Sequence, residues 1–192
     1  MISPNDVFQI NSEFAFEQTV LKVFKYQYQN NGVYRSYCDL LNVATSDVTH
    51  YNDIPFLPIQ FFKTHKVISS SLNTEATFTS SGTTGVVTSK HHVADLKIYE
   101  SSYLKGFETF YGNIEDYVVL ALLPSYLERE GSSLIYMVND LIKRSKNTDS
   151  GFYLNNTNAL RQKIIELENK GQKTLLIGVS FALLDFIEQE SF

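Results

Sequence analysis

With 192 residues, 43% of them hydrophobic and 14% aromatic, the chain can bury a sizeable core, which excludes a disordered segment. Its net charge of -5 excludes the dense basic face that non-specific nucleic-acid binding needs, but not a nucleotide, since backbone amides hold phosphate whatever the net charge. One cysteine, Cys38, excludes an internal disulfide or a cysteine-based zinc cluster and fits a reducing compartment. No run is apolar enough to span a bilayer and the N-terminus lacks a basic signal region, so a cytoplasmic location is expected.

Ser3 and Pro4 open a short first helix, proline being tolerated where no N–H is needed. Asn11 or Ser12 caps a second, with Phe16, Val20, Phe24 and Tyr28 in helical register. Asn30, Asn31 and Gly32 break it, and a third short helix carries Tyr34, Cys38 and Leu41. Among these aromatic neighbours Cys38 reads as a buried structural thiol. Residues 44–73 read as an extended strap across the core, because each proline of residues 54–59, IPFLPI, keeps its predecessor out of a helix.

From Ala76 the pattern becomes strand and helix in alternation. Residues 76–79 form a short strand into a loop. After Lys90 a helix is expected, with Leu96, Tyr99, Tyr103, Phe107 and Phe110 on one face. Residues 114–116 make a turn with solvated carboxylates. Residues 117–123, YVVLALL, read as a strand covered on both faces, ended by Pro124. Ser132 or Ser133 caps the next helix, with Leu134, Met137, Val138, Leu141 and Ile142 as its buried stripe. Another helix, with Leu160, Ile164 and Leu167, ends at Gly171; residues 174–179 are a buried strand, and Ser180 caps a last helix. This order predicts an α/β fold, a mostly parallel sheet flanked by helices with a helical N-terminal segment. Residues 1–73 are expected to pack on the core as that segment, and 74–192 to form a nucleotide-binding portion cut off inside or just after a helix.

The stretch richest in chemistry is residues 77–90, TFTSSGTTGVVTSK. From Thr79 to Gly85 every side chain is a hydroxyl or is absent. Gly82 and Gly85 let backbone N–H groups approach an anion, and Ser80, Ser81, Thr83 and Thr84 add donors without fixed charge. A Walker A loop fails on spacing, because Gly82 and Gly85 stand only three apart and Lys90 follows neither directly. The G-x-G-x-x-G spacing of a dinucleotide fingerprint is absent.

A third pattern fits. Residues 80–85, SSGTTG, resemble the phosphate loop of the adenylate-forming superfamily of acyl-CoA synthetases, adenylation domains and luciferases. Residues 55–63, the loop, Lys90-His91-His92 at an expected helix start and residues 122–129 together resemble its acyl-protein synthetase, or LuxE-type, branch. The resemblance implies the N-terminal part of an adenylate-forming enzyme that activates a fatty or other carboxylic acid with ATP and Mg2+. The acyl group would pass to a thiol on a protein, a carrier or CoA. It implies ATP phosphate binding by Ser80, Ser81, Gly82, Thr83, Thr84, Gly85 and Lys90, the lysine standing further from the last glycine than the family pattern has it. Ser125, Tyr126 and Arg129 fall where members of the superfamily face the acyl substrate; Tyr126 or Arg129 meets its carboxylate, or Arg129 pairs with a neighbouring glutamate. The family's magnesium, ribose and acceptor-cysteine motifs have no counterpart in these residues and are expected downstream. One of His91 and His92 faces the nucleotide or both are surface residues; His50 and His65 have no partner visible in sequence. The competing readings are a non-catalytic half-domain that binds a nucleotide or a protein, and a phosphotransferase with an unusual loop.

Overall fold

The computed structural model describes residues 3–69, 72–80, 87–124 and 131–189. Contacts divide the chain into two compact units, Met1–Tyr99 and Glu100–Phe192.

The first unit begins with helices α1 (Pro4–Phe8), α2 (Glu13–Asn30) and α3 (Gly32–Leu40). Ser12 caps α2, its Oγ accepting from the Ala15 N–H at 3.2 Å. Asn31 serves two helices. Its own N–H donates to the Gln27 carbonyl at 2.8 Å and closes α2, and its Oδ1 accepts from the Tyr34 N–H at 3.2 Å and opens α3. The turn therefore needs one residue only. Phe24, Tyr34, Cys38, Val48 and Ile54 form the buried core of this unit. Leu41 was expected on α3, but the helix ends at Leu40 and Leu41 is half-exposed past its last turn.

The strap runs as expected, relieved by a 3-10 turn at Tyr51–Asp53 and a one-turn helix α4 (Phe61–Thr64). Tyr34 pins it by donating from its phenol to the Pro55 carbonyl at 2.8 Å. Strand β1 (Ala76–Thr79) follows and pairs antiparallel with β2 (Lys90–Val93). This corrects the helix expected from Lys90 onward. A lysine, two histidines and a single valine carry no strand signal alone; the ladder to β1 decides their conformation. Helix α5 (Leu96–Tyr111) begins only where its first N–H groups find acceptors: Glu75 Oε2 takes the Leu96 N–H at 2.8 Å and Asp95 Oδ1 that of Lys97 at 2.9 Å.

The second unit, from Glu100, is built on three parallel strands in the order β4-β3-β5, where β3 is Val118–Leu122, β4 Gly151–Phe152 and β5 Thr174–Gly178. Helix α6 (Ser133–Ser145) leads from β3 to β4, α7 (Thr157–Asn169) from β4 to β5, and α8 (Ser180–Gln189) follows β5. Central strand β3 is buried along its whole length, as its unbroken apolar run requires. The sheet is thus parallel but small, and the loop-bearing strand β1 belongs to the antiparallel pair of the other unit, a correction to one mostly parallel sheet.

Two stripe positions also change. On α6 the Ser132 cap sets the phase so that Ile135, Val138 and Leu141 face the core, while Leu134 is exposed. On α5 Phe107 takes the inward place against Tyr111 and Tyr117, and Phe110 is 82% exposed.

Candidate functional site

The hairpin of β1 and β2 carries the hydroxyl-rich stretch. Its register sets Thr79 opposite Lys90, Phe78 opposite His91 and Thr77 opposite His92. Pairing continues one residue beyond the strands. The Ser80 N–H donates to the Ser89 carbonyl at 3.1 Å, and the Ser89 N–H donates to Ser80 Oγ at 3.0 Å. The clasp explains the unusual position of the lysine. Residues 87–89 lead into the returning strand of a hairpin, so Lys90 stands beside the Ser80–Ser89 clasp although it is five residues past Gly85 in sequence.

Of the expected phosphate-binding residues, Ser80 and Lys90 are described and both are exposed. Ser81, Gly82, Thr83, Thr84 and Gly85 lie outside the described residues, as do Ser125, Tyr126 and Arg129 of the expected acyl site. The segment holding those three follows directly on Pro124, past the carboxyl end of β3.

On a strand, successive side chains point to opposite faces, so His91 and His92 diverge more than the expected helix would have them do. His91 packs on the Phe62 ring at 5.9 Å. His92 shares Thr77's side: its Nδ1 is 3.1 Å from Thr77 Oγ1. Burial first, then the positive charges of Lys66 and Lys90, push the His92 imidazole below its ordinary pKa and keep it neutral at pH 7. His50 and His65, partnerless in sequence, do have neighbours. His50 Nε2 is 3.4 Å from Glu17 Oε1, and His65 stacks on Phe61 with its Nδ1 2.8 Å from Thr64 Oγ1. Cys38 is fully buried, as expected, and burial raises its thiol pKa.

The first unit also holds a cavity of about 430 Å³. Its walls come from α2, the start of α3, the strap and strand β2. In sequence its one signal is a surplus: α2 carries more apolar positions, Val23 among them, than its core face uses. Among the described residues no group of three His, Cys, Asp or Glu side chains could hold a metal ion. No helix among them is long and apolar enough to cross a membrane.

The described residues define a mixed α/β protein with a clasped, hydroxyl-rich hairpin in the same unit as an apolar cavity. Over residues 4–101, which include the hairpin and every wall of the cavity, the chain matches the family described as acyl-protein synthetase, LuxE, and it belongs to that family. It is 37% identical over 71 residues to "Long-chain-fatty-acid--luciferin-component ligase" of Photorhabdus luminescens, covering 36% of this chain and 60% of the relative. It is 39% identical over 64 residues to the protein of the same name from Vibrio harveyi, covering 33% of this chain and 17% of the relative. The chain therefore spans less than two thirds of the length of either relative. No solved structure matches it.

Proposed function

We propose that this chain is the N-terminal part of an adenylate-forming enzyme that uses ATP to activate a long-chain fatty acid and passes the acyl group to a thiol acceptor. The observation that carries the reading is the SSGTTG sequence on a hairpin whose neck is clasped by Ser80 and Ser89, in a chain of the LuxE family. The substrate class follows the relatives' names, which specify a long-chain fatty acid.

In this reading a carboxylate oxygen attacks the α-phosphorus of ATP, and pyrophosphate leaves with the electrons of the broken P–O bond. The carboxylate is a weak nucleophile and the leaving group is strongly anionic, so positioning and charge stabilisation dominate. Loop N–H groups and the hydroxyls of Ser80, Ser81, Thr83 and Thr84 hold the β- and γ-phosphates, each well-placed donor lowering the barrier by roughly 3 kcal/mol. Gly82 and Gly85 let the backbone close in. Ser80 Oγ accepts the Ser89 N–H and keeps its own proton to donate to phosphate. Lys90, at the neck, supplies the fixed positive charge. Ser125, Tyr126 and Arg129 are the acyl-facing candidates that the resemblance implies, Arg129 by its capacity for a bidentate contact. Magnesium would arrive on the triphosphate, and no step is assigned to it. In this reading the nucleotide portion begins at residue 74, after the helical and extended segment of residues 1–73. The acceptor thiol belongs to a protein, a carrier or CoA, not to buried Cys38.

The test is ATP–pyrophosphate exchange driven by tetradecanoate, measured on the whole natural protein that contains these residues. Exchange that falls at least about tenfold in Thr83→Ala and Gly85→Val is the expected result. No exchange with any fatty or aryl acid overturns the adenylation reading. ATP binding without exchange would make the chain a nucleotide-binding module.

A further inference from the structure

We propose that the cavity of about 430 Å³ in the first unit receives the hydrocarbon chain of the acid, with its carboxyl end at His92 on β2. This rests on the fatty-acid reading above and places the chain-binding site at residues that reading did not assign.

The size lies within the range of roughly 300–1,000 Å³ in which small-molecule sites fall. The character of the walls narrows the occupant. Val20, Val23 and Phe24 of α2 face a space bounded by Ile54 and Leu57 of the strap and by Val67 and Ile68. Two polar side chains of the wall, Tyr34 and Asn31, are engaged with the protein itself. Tyr34 donates to the Pro55 carbonyl at 2.8 Å; Asn31 donates to Gln27 Oε1 at 3.3 Å and accepts the Tyr34 N–H. A ligand rich in hydrogen-bonding groups would meet few partners there, whereas an unbranched hydrocarbon needs none.

Strand β2 supplies the polar edge through His91 and His92. When Thr77 Oγ1 donates to His92 Nδ1, the ring's remaining proton sits on Nε2, where it can donate to a carboxylate oxygen. The same strand leads back through Lys90 to the neck of the phosphate loop. A chain held between α2 and the strap, its carboxyl end at β2, therefore has its reacting atom on the element that carries the loop.

The test uses a tetradecanoic acid carrying a diazirine at its terminal carbon, photolysed with this chain and mapped by peptide mass spectrometry, together with equilibrium binding of unlabelled acids of different length. Labels on peptides covering residues 20–27 and 54–68 are expected. So is affinity that rises about fourfold per added methylene until the cavity is full. Val23→Trp and Ile68→Trp each put an indole into the cavity and should weaken tetradecanoate at least tenfold, with circular dichroism verifying that the variants are folded. Saturable binding with labels confined elsewhere, residues 125–130 included, overturns the pocket and leaves the fatty-acid reading standing. Unchanged affinity in both folded tryptophan variants overturns it as well. Failure of every acid to bind overturns the pocket, and pyrophosphate exchange then decides the enzymatic reading on its own.

Discussion

Ser80 and Ser89 hold each other by two hydrogen bonds, one from each backbone N–H, and the second of these ends on the Ser80 hydroxyl. The side chain of Ser80 is thus part of the hairpin neck as well as a candidate phosphate donor. Ser80→Ala removes both roles and should weaken ATP by about tenfold, the equivalent of ~1.4 kcal/mol. Ser80→Thr keeps the hydroxyl and should retain most of the affinity. Because the position is exposed, thermal stability should move by no more than about 0.5 kcal/mol in either variant. Nucleotide titration by calorimetry checks the pair; equal affinity in Ser80→Ala and wild type would remove Ser80 from the phosphate site.

Gly178 at the end of β5 is glycine because of its neighbours. A Cβ built there would lie 2.9 Å from Leu183 Cγ and Cδ2 and 3.3 Å from Leu122 Cβ. Leu122 is in the buried core and Leu183 packs against it, so neither can withdraw without disturbing that core. Gly178→Ala should lower stability by about 1–3 kcal/mol, the usual range for overpacking, despite the better strand propensity of alanine. The urea unfolding midpoint measures this directly, and an unchanged midpoint would mean that the junction of β5 and α8 yields freely.

On α7 the Glu166 carboxylate accepts from Lys163 Nζ at 2.8 Å and from Lys170 Nζ. These bonds hold its pKa at about 2, below the ordinary 4.5. The folded state then binds fewer protons than the unfolded state between those values, so stability rises with pH there. The contribution is fully present above about pH 5 and is lost as pH falls through the window toward about 2. Glu166→Gln should flatten the melting temperature against pH in that window and leave it unaltered in shape above it. Salt should weaken the effect in wild type, because the group is exposed and its partners are screened. Parallel profiles for the two proteins would show that the pairing carries no stability.

How far each element was legible depends on where its determinants lie. Helices α2 and α3 could be read because Ser12 and Asn31, their caps, stand next to the apolar positions they bound. Strand β3 could be read from its seven-residue apolar run, since burial on both faces leaves no alternation to misread. Strand β2 could not, because Lys-His-His-Val is extended only through a ladder to Ala76–Thr79, the strand on the far side of the hydroxyl-rich stretch. The two residues of β4 are a strand only by pairing with Leu120 and Ala121. The cavity was illegible for the same reason in stronger form: Val23, Ile54 and His92 meet by tertiary folding, and no local pattern joins them. The hydroxyl-rich stretch was legible as composition; the antiparallel pairing of the strands on either side of it was not.

Cys38 raises a question that chemistry alone would leave open, since the proposed reaction ends on a thiol and this chain has one. Its surroundings argue that it is not the acceptor. It is fully buried in the core with Phe24, Tyr34, Val48 and Ile54, and burial raises the thiol pKa, so the thiolate that would attack an acyl group is scarce and unreachable. An aromatic disulfide reagent should therefore react with Cys38 at least about a hundredfold more slowly in the native chain than in urea, following the population of the open state. Cys38→Ala removes a packed sulfur and should cost about 1–2 kcal/mol of stability. The same variant in the whole protein should retain acid-dependent pyrophosphate exchange and acyl transfer. Rapid native modification, or transfer abolished while exchange survives in Cys38→Ala, would return Cys38 to the reaction and require the core around it to open during turnover.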